Sequence, residues 1–339
     1  MDAKKPVRHP GAWVPTAYLA EGIPFAMVIW VAGTMFKDLG YSDTEITLNT
    51  AGIGIAWSLK PFWAAFLDMY RTKKFWVLSM EFFMAALLAG VTLALRLPNF
   101  FPLVIASLWV LAFASATQDI CIDGVYITAL DKKQQAAWIG IQGTCWNVGR
   151  IFATAAVVAV AGAMKSSGHD PKTSWTFALG LSAATMGALA AYHYFILPTG
   201  SIHQRPKDAA EVIGTFWEAV VAFFQKKSIL GMLVFVFLFR TGEGFLLIEA
   251  PLFIQASAKN GGLGLTLGQK ALVDGTVSTG VSLFAGILGG IFVAKYGLKR
   301  SLLFLAVCLN VPHLCYVILS QSVSPDKPLS IYAILALVS

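Results

Sequence analysis

Charge is scarce in this sequence. Asp, Glu, Lys and Arg together make up 13% of 339 residues, about half the share carried by soluble domains, so an ordinary water-facing surface is excluded. Segments of alternating apolar and polar residues, which would mark a transmembrane β-barrel, are also missing. Cysteine is limited to Cys121, Cys145, Cys308 and Cys315, all inside apolar runs and without metal-ligand spacing. They read as small core residues, not as a disulfide framework or a metal site. There is no G-x-x-x-x-G-K-[ST] loop for a nucleotide and no H-E-x-x-H. No nucleophile–base pair stands out either, so neither an enzyme nor a cofactor is expected. The basic start, Met1 to Pro10, leads into an apolar run of spanning length, so no cleavable signal peptide is expected.

Apolar residues are abundant, at 57%, with a mean hydropathy of +0.69. Many runs approach the roughly 20 residues that cross a bilayer, so the chain reads as a polytopic helical membrane protein. Predicted spans one to nine are Trp13–Phe36, Ile46–Leu67, Phe75–Leu95, Pro102–Leu130, Ala136–Met164, Trp175–Leu197, Ile229–Ile254, Ala271–Ala294 and Ser301–Ser320, and a tenth begins near Leu329. With the amino terminus inside, the inside segments hold 15 Lys and Arg and the outside segments 7; Lys60, Arg150 and Arg240 lie within the membrane. The positive-inside rule therefore places the amino terminus in the cytoplasm, and it explains the net charge of +7 without nucleic acid.

A polar stretch after span six carries Val212, Ile213, Phe216, Trp217, Val220, Val221 and Phe224 at helical spacing. It predicts an amphipathic helix on the cytoplasmic surface, joining two bundles. The expected organisation is a first bundle over 1–200, a linker over 201–227 and a second, incomplete bundle over 228–339. The halves also repeat. Glu21 in Ala20-Glu-Gly-Ile23 corresponds to Glu243 in Gly242-Glu-Gly-Phe245, and the basic loop after span two corresponds to the loop after span eight, at offsets of 222 and 226 residues. From Leu329 to Ser339 a helix would reach only about 16 Å, half of the hydrocarbon core. The sequence therefore reads as a fragment, truncated within the fourth helix of the second bundle.

Asp119 and Asp123 lie inside span four, four residues apart and on one helix face. Each costs roughly 2.5 to 3.5 kcal/mol at a bilayer centre, which points to carriage of protons or a charged solute. Asp119 sits about 18 Å above the cytoplasmic edge, and Arg150 in span five sits at about 22 Å, so the depths allow an Asp–Arg pair between the two helices. That pair reads either as a proton-coupling element or as a structural lock. Lys60 reads either as a pathway cation or as a residue snorkelling to the interface. Glu21 and Glu243 are expected to face a central cavity and to join the aspartates in proton coupling. Arg150, Arg240 and Lys60 suit an anionic substrate, since guanidinium groups bind carboxylate or phosphate bidentately. Glu81, Glu249 and Asp274 are read as wetted residues near membrane edges, and His193 and His313 as core or interface residues.

Leu59-Lys60-Pro-Phe-Trp63-Ala-Ala-Phe-Leu-Asp68 and Ala116-Thr-Gln118-Asp119-Ile-Cys-Ile-Asp123-Gly124 resemble helix-two and helix-four motifs of the AmpG-type branch of the major facilitator superfamily. Gly22-Ile23-Pro24 and Arg240 fit the same branch, which contains muropeptide permeases and, more distantly, acetyl-CoA transporters. The chain departs from the pattern at Ala65, at Gly124-Val125 and at Arg240 itself. The resemblance implies an all-α major facilitator fold of two six-helix bundles in a bacterial inner membrane. It implies a monomeric secondary active transporter that imports anhydromuropeptides with protons during cell-wall recycling. Alternatives are transport of another anionic metabolite, such as a CoA ester, and a non-transporting membrane sensor. The resemblance also implies a gating role for Asp68, Arg71 and Lys73, with Asp68 capping a helix of the opposite half.

Overall fold

A computed structural model of the protein describes residues 9–200, 209–323 and 329–338. No strand occurs among the described residues. Among the described residues, seven helices are long and apolar enough to cross a membrane: Pro10–Asp38, Lys73–Ala94, Phe100–Ala129, Ala137–Ser166, Pro171–Ile196, Ile229–Gln255 and Arg300–Ser322. They fall on predicted spans one, three, four, five, six, seven and nine, and the protein is an integral membrane protein. The predicted amphipathic segment is helical over Ala209–Phe224. Its Phe216 ring lies 5.1 Å from that of Phe62 in span two. The earlier part of the predicted linker, 201–208, lies outside the described residues.

Span two is in pieces: Asp43–Thr50, Ile55–Ser58 and Pro61–Tyr70. The local cause of the second break is Pro61, which has no N–H to return to the preceding turn and instead opens a new helix. Span eight combines Leu267–Lys270, a π-helical turn at Ala271–Val277 and Ser278–Tyr296. The tenth span appears as Ile331–Val338.

Polar residues start these helices by holding free backbone N–H groups. Ser42 and Glu45 form a reciprocal capping box at span two, and Thr266 and Gln269 form one at span eight. Asp131 Oδ1 accepts from Gln134 N at span five, and Asp170 Oδ2 accepts from Thr173 N at span six. Hydrogen bonding at Asp170, that of the Thr173 side chain first, holds its carboxyl below the usual carboxylate range.

The chain divides into two compact units. The first is Met1–Val28, Gly52–Arg150 and Trp175–Ile229; the second is Ile29–Ala51, Ile151–Ser174 and Leu230–Ser339. The chain passes from one to the other within spans one, two and five and near the starts of the helices of spans six and seven; the first three lose regular α-helical geometry at or beside the crossing. The irregular stretches are the π-turn Met27–Val31, the turn at 51–54 and the π-turn Phe152–Val157. The first unit has a core of Trp13, Tyr18, Val77, Ile122 and Val125 among others. In the second, Ile254, Leu265, Val273 and Ile334 pack together. Large exposed apolar side chains such as Leu103, Val110, Phe113 and Phe195 suit lipid.

Candidate functional site within the first unit

Span four is a single helix of 30 residues, so Asp119 and Asp123 keep the shared face that their spacing predicts. What meets them differs from the predicted partner. Lys60 Nζ lies 2.6 Å from Asp119 Oδ2. The helical break before Pro61 makes Lys60 the cap residue of the segment Pro61–Tyr70, and its ammonium turns to the carboxylate instead of snorkelling to the interface. The side chains keep 29% and 13% of their surface accessible, so the pair borders open space and is not sealed. Asp123 Oδ1 accepts from Tyr18 Oη at 2.8 Å. Glu21, one turn along span one from Tyr18, is buried, and the charges of Asp119, Asp123 and Lys60 all act on it. Its Oε2 has no hydrogen-bond partner among the described residues.

Asp119 is paired with Lys60 and not with Arg150, the partner that depth alone allowed. The backbone of Arg150 lies beside span one. A Cβ placed on Gly22 would lie 2.2 Å from Trp146 O and 3.2 Å from Arg150 N, and one on Gly149 would lie 2.3 Å from Leu19 O. Spans one and five therefore touch backbone to backbone, which only glycine permits. Beside this crossing the Phe25 ring lies 4.7 Å from Trp57 and 5.3 Å from Trp146.

Arg240 and Glu243 are on span seven in the second unit, and the Arg240 side chain lies outside the described residues, as does that of Asp68. The Arg71 guanidinium stacks over Phe75 at 5.4 Å. Lys73 is buried, its stem running close over Gly124. Glu249 is exposed and accepts from Thr47 Oγ1 at 3.1 Å. The Asp274 side chain is outside the described residues.

Glu81 requires a correction. It was expected at a wetted membrane edge, yet it is fully buried. His193 Nδ1 lies 2.8 and 2.9 Å from its two oxygens, and Gln118 Nε2 donates to Oε1 at 2.9 Å. Helix arithmetic contained the signal. Glu81 is eight residues into a helix that begins at Lys73, hence about 12 Å deep.

Two cavities lie in the second unit. One, of about 880 Å³, is lined by Lys37, Asp38, Lys165, Gln255 and Thr266 among others. The other, of about 530 Å³, is lined by Glu249, Phe253, His313 and Tyr316 among others. Neither contains a predicted coupling or substrate-binding residue.

The chain is 21% identical over 321 residues to a putative transporter, AmpG 4, of Rickettsia conorii, a match covering 89% of this chain and 72% of that protein. It is 24% identical over 314 residues to the anhydromuropeptide permease of Escherichia coli K12, covering 89% of this chain and 59% of the permease. Among solved structures, a bacterial homolog of the human lysosomal transporter Spinster, inward-facing and unoccupied, matches with a TM-score of 0.69 and 17% identity over 99% of this chain and 73% of its own. The nucleoside transporter NupG matches with a TM-score of 0.67 and 13% identity, over 96% and 77%. These likenesses establish the fold. The sequence pattern of the Major Facilitator Superfamily runs through residues 16–339, and the chain belongs to that family of membrane transporters.

Proposed function

We propose that this transporter is a proton-coupled symporter that imports anhydromuropeptides. The observation that carries the reading is the Asp119–Lys60 pair inside the membrane, with Asp123 and Glu21 grouped around it. Such a cluster changes its net charge by one when it takes up a proton, and a carboxyl that can also hold an ammonium couples that proton to a conformational choice. The permease and putative AmpG transporters among the relatives favour a muropeptide as the cargo. Its carboxylates suit Arg150 and Arg240, and its sugars suit aromatic faces such as Trp57 and Trp146. The bias of Lys and Arg toward one side favours a cytoplasmic amino terminus in an inner membrane. Asp68, Arg71 and Lys73 are proposed to act at the cytoplasmic gate. The protein would act as a monomer.

The experiment is uptake of labelled anhydromuropeptide, beside a labelled CoA ester, into cells that make the full-length protein and lack their own permease. The reading expects muropeptide uptake, abolished by an uncoupler. Uptake of the CoA ester alone would contradict it, as would ligand binding without flux.

Within the second unit, span five approaches span eight closely. A Cβ on Gly162 would lie 3.1 Å from Gly268 N and 3.2 Å from Leu267 Cβ. In the proposed cycle this contact closes one face of the transporter. Gly162→Leu is then expected to slow uptake by about tenfold or more while leaving yield intact, because overpacking by 1–3 kcal/mol would fall on one conformation only. Uptake at the wild-type rate would remove this contact from the cycle.

A further inference from the structure

Glu81 and His193 are both fully buried in the first unit, and the transport reading makes no use of them. Four spans meet at the pair. Glu81 comes from span three, His193 from span six, Gln118 from span four and Thr16 from span one. The carboxylate receives Gln118 Nε2 at 2.9 Å on Oε1, and His193 Nδ1 reaches both oxygens. The other ring nitrogen, Nε2, lies 3.0 Å from Thr16 Oγ1. The Thr16 hydroxyl in turn donates to Trp13 O at 3.2 Å.

The donor inventory of these groups decides what the arrangement can hold. A carboxylate only accepts, so Nδ1 carries a hydrogen toward Glu81. With the Thr16 hydrogen on Trp13 O, the hydroxyl oxygen is an acceptor, and Nε2 must carry a hydrogen too. His193 is then an imidazolium paired with Glu81. If the hydroxyl turns, its hydrogen points at Nε2, and a neutral ring accepts it. Trp13 O is left satisfied in that state, because it also accepts from Ala17 N at 2.9 Å. Both states leave every ring nitrogen bonded, so the site gains or loses one proton by rotation of a single hydroxyl. Hydrogen bonding therefore leaves no ring nitrogen unpaired in either state, while the neutral ring leaves the buried Glu81 carboxylate held by hydrogen bonds alone.

We propose that Glu81–His193 is a second proton-binding site within the membrane, separate from the Asp119 cluster and holding one exchangeable proton. Gln118 and Asp119 are consecutive on span four and point about 100° apart, so one helix bears the two sites on different faces. The other ionisable groups on the four helices are Tyr18, Glu21, Lys37 and Asp38 on span one, Lys73 and Lys74 on span three, Asp119, Cys121, Asp123 and Tyr126 on span four, and Lys172, Tyr192 and Tyr194 on span six. Lys74 Nζ bonds to Tyr194 O, and the Tyr192 hydroxyl bonds to Ala12 O. Glu81 is the ionisable side chain within hydrogen-bond distance of the ring.

The test reads proton occupancy directly and does not depend on transport, so it stands or falls apart from the symport reading. The full-length protein is labelled with ¹⁵N-histidine, purified in detergent and followed by imidazole nitrogen NMR from about pH 5 to 9. The His193 signal is identified by its loss in His193→Gln. The expected result is conversion of His193 between a doubly and a singly protonated ring within that range. Thr16→Val, which keeps the shape and removes the turning hydroxyl, should lower the ratio of charged to neutral ring about tenfold at a given pH, and Glu81→Gln by more. If Glu81→Gln does not fold, the near-isosteric Thr16→Val still decides the matter. A His193 ring held in one protonation state throughout the range overturns the proposal, and so does a Thr16→Val protein that titrates with the wild type.

Discussion

Replacing Gly149 or Gly22 by alanine is expected to remove most of the folded protein. The added methyl carbon would stand 2.3 Å from Leu19 O in one case and 2.2 Å from Trp146 O in the other. Both obstacles are helix backbone and cannot swing aside as a side chain would. Spans one and five would have to separate, losing contacts along the whole crossing. Inside a bilayer no hydrophobic driving force replaces them, because helix association there rests on close packing itself. Overpacking of a well-fitted site costs typically 1–3 kcal/mol, and this one lies at or beyond the upper end because two backbones collide. The displacement would also draw Tyr18 and Glu21 away from span four. Span five supplies its own controls. A Cβ on Gly140 or Gly143 meets nothing within 4 Å, and alanine there should be neutral or slightly stabilising for the helix. Yield of monodisperse protein and the thermal midpoint in detergent would separate the two pairs. Equal stability of Gly149→Ala and Gly143→Ala would contradict the close crossing.

The second large effect concerns Lys60 and Asp119. Removing one member of a desolvated ion pair leaves a charge without its partner, at a cost of about 3–5 kcal/mol when the site is fully closed. Here 29% of the Lys60 side-chain surface and 13% of that of Asp119 remain accessible, so water relieves part of that cost. Lys60→Met is expected to destabilise the protein by about 1–3 kcal/mol. The double variant Lys60→Met/Asp119→Asn should recover much of this, since it removes both charges together. Uptake should behave differently. Each single variant and the double variant should all lose transport, by about 100-fold or more, because the coupling group is absent or permanently unpaired in each. Recovery of stability without recovery of uptake separates a working pair from a mere clamp. Recovery of both in the double variant would make the pair structural.

Much of the fold was legible because membrane helices announce themselves by composition. Spans three to seven appear within a few residues of where apolar runs place them, and the amphipathic segment is helical as its spacing requires. The shared face of Asp119 and Asp123 followed from a spacing of four. The partners did not follow. Asp119 was matched with Arg150 on depth alone, yet depth does not fix which face a side chain takes or how a neighbouring helix breaks. Pro61 was visible, and with it a break that brings Lys60 round, but the consequence is a three-dimensional one. Glu81 and His193 are 112 residues apart in sequence. No local pattern joins them, and each looked ordinary alone. The Gly22–Gly149 crossing is similar: both glycines stand out only when the opposite backbone is known.

The central claim is that the Asp119 cluster couples a proton to solute movement. Its most direct test uses full-length protein in liposomes, with labelled anhydromuropeptide outside and an imposed pH gradient, acid outside. Wild-type protein should accumulate the solute above its external concentration, collapse of the gradient should release it, and Asp119→Asn should carry no gradient-driven flux. Accumulation that persists in Asp119→Asn, or wild-type flux indifferent to the gradient, would contradict the account.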